Sequence, residues 1–131
     1  MTDHDWSAGV SDSGVLREVL GTPPPPLTDY DLLSVHVDER EASVTLGFFA
    51  FGVPAGAAAL WQAKGHNAVE FFLVCTRVKN FAVDGWSTEP VTEITLDGGS
   101  VVLTGSGKRV LFEAGEIRAE ALVGRLADRA R

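Results

Sequence analysis

From Leu32 to about Val123, apolar residues recur at every second position in short stretches, each closed by Gly, Asp, Asn or Pro. A period of two sends alternate side chains to opposite faces of a strand. Repeated short strands with turn signals between them predict an antiparallel β domain. The first strand is expected over 31–38, with Leu33, Val35 and Val37 on one face and Ser34, His36 and Asp38 on the other. The charged turn Asp38-Glu39-Arg40-Glu41 follows, and a second strand over 42–49 turns Val44, Leu46 and Phe48 inward. The two read as a hairpin.

Residues 50–66 break the alternation. Pro54, Gly56, a run of Ala, Trp61 and Gly65 predict a long connection, with one or two helical turns between Ala57 and Lys64. Long loops are where function concentrates. The third strand, over 67–76, is apolar on both sides with only Glu70 interrupting, which predicts a central strand covered on both faces. Further strands are expected over 79–86, 91–97, 100–105, 108–113 and 116–123. Asp97-Gly98-Gly99 and Gly105-Ser106-Gly107 mark tight turns. The fold class is therefore mainly β, with minor α. It is a single antiparallel meander, sandwich-like or a partly open barrel, of about seven to eight strands.

The N-terminal third is different. Residues 1–12 are polar with one Trp and are expected to fray. Val15, Leu16, Val19 and Leu20 recur at helical spacing, so a short helix is expected over 13–20, capped by Asp12 or Ser13 and closed by Gly21. Pro23 to Pro26 lack backbone donors and make a stiff, extended spacer that lays the helix on the sheet. Residues 1–131 thus read as one domain: the fraying start, the helix, the spacer at 23–26, the β domain over 31–123 and a tail over 124–131.

The chain has 131 residues, enough for a core without staples. It carries 18 acids against 11 bases, a net charge of −7. Such a field repels phosphates and disfavours nucleic acid as a partner; it speeds encounter with a basic protein. The plainer reading is that the charge keeps a cytoplasmic protein in solution. The single cysteine, Cys75, excludes an internal disulfide. Its apolar neighbours predict a buried small hydrophobe rather than a reactive thiol. The N-terminus has acids where a secretory signal needs bases, and nothing is long enough to span a membrane, so the cytoplasm is the expected compartment.

No motif carries chemistry. His4, His36 and His66 are scattered and no metal-ligand spacing exists. There is no nucleophile elbow, dinucleotide fingerprint or phosphate loop. The expectation is a protein with no cofactor, no metal and no catalytic residues. The aromatics weigh differently. Trp61 lies in the long loop, and Trp86 ends a strand beside Gly85. Both suit a protein contact, although plugging the open ends of a sheet is the plainer role. Trp6 packs back on the domain or is free.

The order of polar landmarks carries a resemblance. His36-x-Asp38-x-Arg40 precedes the strand Ala42-Ser43-Val44-Thr45-Leu46, then come Trp61-Gln62-Ala63-Lys64-Gly65-His66-Asn67, an aromatic strand and Gly85-Trp86. This resembles the actinobacterial immunity protein 50 family, found beside polymorphic toxins, over residues 15–125. The resemblance implies a cytosolic, non-catalytic antidote that binds a cognate toxin domain; the acidic charge of the chain suits a basic one. It brings no defined functional residues. From the sequence itself the contact surface is expected at Asp38, Glu39, Glu41 and Trp61. The alternatives are a small-molecule-binding β domain, marked by one apolar cavity, and a structural interaction module that self-associates.

Overall fold

The computed structural model describes residues 5–52 and 64–125. A 3-10 turn at Trp6–Gly9 leads into the helix α1 (Gly14–Leu20), and a second 3-10 turn follows at Leu27–Asp29. Eight strands come next among the described residues: β1 (Asp31–Asp38), β2 (Ser43–Phe51), β3 (Ala68–Thr76), β4 (Lys79–Asp84), β5 (Val91–Asp97), β6 (Ser100–Gly105), β7 (Lys108–Glu113) and β8 (Glu116–Arg125). They form two antiparallel sheets, ordered β1-β2-β3-β8 and β4-β7-β6-β5. The mainly β, sandwich-like reading holds, and the sheets do not close into a barrel.

The strand order departs from a simple meander. β3 runs on into β4, and β7 into β8, so one two-stranded ribbon crosses from sheet to sheet. Its corner is Arg77-Val78 against Ala114-Gly115. There the Gly115 amide donates to the Thr76 carbonyl at 2.9 Å, and the Val78 amide to the Ala42 carbonyl at 2.8 Å. A corner made by paired strands changes sheet without leaving backbone groups unpaired.

Alternation sets the core. Val44, Leu46 and Phe48 from β2 meet Val69, Phe71, Leu73 and Cys75 from β3, and the second sheet adds Leu96, Val101, Leu103 and Phe112. Burying one such side chain is worth about 1.5–3 kcal/mol. β3 is central, between β2 and β8, as its apolar run predicts. Only one face is fully buried; Phe72 and Val74, on the other, are half-buried.

Residues 5–12, expected to fray, are instead built in. Trp6 is 3% exposed. It stacks on Phe71 with centroids 6.1 Å apart, and its indole N–H donates to the Pro25 carbonyl at 2.8 Å. Arg17 ties this turn to α1, its Nε donating to Ser7 Oγ at 2.8 Å and its Nη2 reaching Asp5 at 3.4 Å. One aromatic burying its full area outweighs the polarity of its neighbours. The proline spacer receives the indole, and both 3-10 turns pack against β5. The Ser11 amide also donates to the Ile117 carbonyl on β8 at 2.7 Å.

One face assignment is corrected in β1. Leu32 pairs with Phe48, but Val35 pairs with Leu46 and Val37 with Val44, with a bulge between Leu32 and Ser34. Cross-strand partners share a face, so Leu32, not Leu33, joins Val35 and Val37 on the inner side. Leu33 is the extra residue, 59% exposed. A bulge inserts one residue and shifts the faces on one side of it.

Candidate functional site

The inner faces of the two edge strands β1 and β4 are not covered. Val35 and Val37 share the face of buried Leu46 and Val44. Val83 pairs with Val110, which in turn pairs with buried Leu103, and Phe81 stacks on Phe112 at 5.8 Å. All four residues nevertheless remain exposed. Among the described residues each strand has a neighbour on one side only, so its inward apolar side chains line an open trough instead of a closed core. The trough holds about 810 Å³ and runs between β1 on one wall and β4 with residues 85–90 on the other. Exposed apolar positions grouped in this way mark interaction surfaces.

Trp86 stands at its rim, 94% exposed. This overturns the expectation that Trp86 plugs the sheet. β4 ends at Asp84 rather than at residue 86, and Gly85 turns the chain outward at φ +86°. A side chain at Gly85 would place its Cβ 2.1 Å from the Gly107 carbonyl oxygen, so the segment lies directly on the β6–β7 turn. Gly105 is as close to the other end, with a Cβ position 2.7 Å from the Pro90 carbonyl oxygen. Between them, Lys108 Nζ donates to the Ser87 carbonyl at 3.4 Å, and Ser87 Oγ accepts from the Glu89 amide at 3.0 Å. The indole is therefore carried on a fastened loop, which lowers the ordering cost of a contact.

The carboxylates singled out from the sequence follow β1 in the chain and are not among the residues that line the trough. Val37 lines it, and the next residues form the β1–β2 turn. Asp38 shapes that turn, because its Oδ1 accepts the amides of Arg40 at 3.1 Å and Glu41 at 3.3 Å. Asp side chains commonly fix turns in this way, and the bonds account for Asp38 in the His36-x-Asp38-x-Arg40 landmark. Glu39 and Glu41 are exposed. His36 lies on the opposite face of β1, across from Thr45. Trp61, and the helical turns expected from Ala57 to Lys64, fall largely outside the described residues, as does most of the 124–131 tail. Asp31 and Glu89 add negative charge to the trough walls, against Lys108.

Two groups titrate unusually, and neither suggests reactivity. Burial pushes the Cys75 thiol up from 9.0 to about 12. Tyr30, edge-on to Phe71 at 5.2 Å, is pushed up to about 12 by burial first and by the adjacent Asp29 second. Both groups stay protonated at neutral pH and serve packing. Among the described residues no group of three or more His, Cys, Asp or Glu could hold a metal ion. None of the described helices is long and apolar enough to cross a membrane.

The sequence did not single out Val35, Val37, Phe81, Val83 or Trp86 as a unit. The available signal was the pair of short strands ending in Gly85-Trp86. Alternation alone cannot tell an edge strand from a central one. Comparison with known proteins gives one match: a family model described as immunity protein 50 covers residues 12–109, from α1 through β6 to the start of β7. No curated protein and no solved structure matches.

Proposed function

This chain belongs to the immunity protein 50 family, and from that premise we propose that it is a non-catalytic antidote that binds a cognate toxin domain in the cytoplasm and blocks it. The observation that carries the proposal is the trough between β1 and β4 with Trp86 exposed at its rim. An exposed Trp on a fastened loop beside apolar strands, with a charged rim, suits a protein hot spot. Glu39 and Glu41, exposed in the turn after β1, would add acidic contacts for the toxin, and Asp38 holds that turn in shape. A net charge of −7 would steer a basic toxin toward it.

The test is co-expression in a bacterial host with the toxin domain encoded by the neighbouring gene. Growth is restored by the natural chain and lost again with Trp86→Ala, while the variant's stability changes by less than about 0.5 kcal/mol, as for other exposed positions. Failure of the natural chain to restore growth overturns the proposal. A small-molecule site is the second reading, favoured by the trough's volume of about 810 Å³. Ligand pockets of that size normally enclose their ligand; this one lies along β1, whose outer edge no described strand pairs and which offers hydrogen bonds to another backbone.

A further inference from the structure

We infer that β1 is a template for strand addition, and that its occupant is an extended, basic and apolar segment of the toxin; the inference rests on the toxin-binding reading above. Among the described residues β1 pairs with β2 alone, so its other edge presents a row of amides and carbonyls that no described strand pairs. Between Ser34 and Asp38 its register is unbroken. No Lys or Pro interrupts Leu32 to Val37, and no bulge does so after Ser34. Edge strands are normally blunted by one of these devices.

The other edges are treated differently. β4 is blunted: it begins at Lys79, Asn80 has φ +58°, and the register shifts between Lys79 and Ala82. β5 is packed against the two N-terminal 3-10 turns, and β8 takes the Ser11 amide. Among the described residues β1 is therefore the edge left open, and it is regular from Ser34 to Asp38, beyond its bulge at Leu33. Its inner-face residues Val35 and Val37 open onto the trough, where Phe81 and Val83 face them. A strand added to β1 would lay every second side chain into that trough and cover the apolar surface.

Charge selects the occupant. Asp31 and Glu89 line the trough against one base, Lys108, and the chain as a whole carries a net charge of −7. A second copy of this chain would bring the same acids face to face. A strand with Lys or Arg at alternate positions and apolar residues between them satisfies both the rim and the floor.

The experiment is amide hydrogen exchange, read by NMR, on the full chain alone and bound to the purified toxin domain of the neighbouring gene. The inference expects every second amide along Asp31–Asp38 to exchange freely in the isolated chain and at least tenfold more slowly in the complex. It also expects binding to weaken at least tenfold between low and high salt. Val37→Lys, an inward edge charge, should lower affinity at least tenfold, with its thermal midpoint checked in parallel. Tight binding with unchanged β1 amides overturns this inference and leaves the antidote reading standing. No binding overturns both. Alternate amides already protected in the free chain, whether in a sedimenting dimer or a monomer, show the edge occupied by this chain itself and overturn it too.

Discussion

Replacing Gly85 with alanine should be the most damaging single-methyl change in the molecule. Two effects add. Gly85 sits at φ +86°, a region that costs an L-residue about 1–2 kcal/mol. Its new Cβ would also lie 2.1 Å from the Gly107 carbonyl oxygen, 3.0 Å from that carbonyl carbon and 3.3 Å from Lys108 Cα. All three are backbone atoms of a tight turn, so no rotamer change relieves the clash. Forcing the turn apart adds about 1–3 kcal/mol of overpacking strain. The sum, about 2–5 kcal/mol, is a large part of the 5–15 kcal/mol or so that holds a domain together. The control is Gly107→Ala. Gly107 has φ +77°, yet its nearest neighbour is Ser87 Cβ at 3.6 Å, an ordinary contact. It should lose only the backbone part, about 1–2 kcal/mol. Urea unfolding followed by tryptophan emission measures both, with buried Trp6 reporting the core. Gly85→Ala no worse than Gly107→Ala would refute the idea that the Trp86 loop is clamped on the β6–β7 turn.

Cys75 should not react with a disulfide reagent at pH 8 in the native chain and should react at once in denaturant, because it is buried and its thiol titrates near 12. The same burial makes stability fall with alkali. The folded pKa values of Cys75 and Tyr30 lie above their unfolded values of 9.0 and 10.0, so their contribution is intact below about pH 9 and lost as pH rises toward 12. Chemical denaturation at pH 7.5 and 10.5 checks the sign. Asp38→Ala should cost about 0.5–2 kcal/mol by uncapping the turn amides, as loss of such caps does elsewhere, whereas Glu39→Ala should leave the urea midpoint unchanged. Trp6→Ala removes a buried aromatic stacked on Phe71 and should cost about 3–5 kcal/mol in the same assay. A loss below about 1 kcal/mol would mean that the N-terminal turn is not part of the core.

Alternation placed the strands well because it is a local property. β5, β6 and β7 run over the residues their pattern predicts, and α1 starts one residue late, at Gly14. The paired glycines at 98–99 and the polar 38–41 turn each close a hairpin for reasons confined to a few residues. The trough was not legible. Glu39 and Glu41, singled out for their charge, lie in the turn after β1 and do not line it. Val83 and Trp86 come to it from a different sheet, and no local pattern couples them to Val35 and Val37.

Sequence by itself determined that this chain is an antiparallel β protein with a short N-terminal helix, that Val44, Leu46 and Phe48 face inward and Cys75 is buried, and that it belongs with the immunity proteins. These follow from the period of two and from the order of landmarks along one dimension. Tertiary structure alone decided that β8 returns to pair with β3, that Trp6 is core while Trp86 is surface, and that no described strand pairs the outer edge of β1. Those outcomes depend on which segments distant in the chain come to lie side by side. A strand's own residues record which way its side chains point; whether anything lies opposite them is settled by pairing partners far away in the sequence.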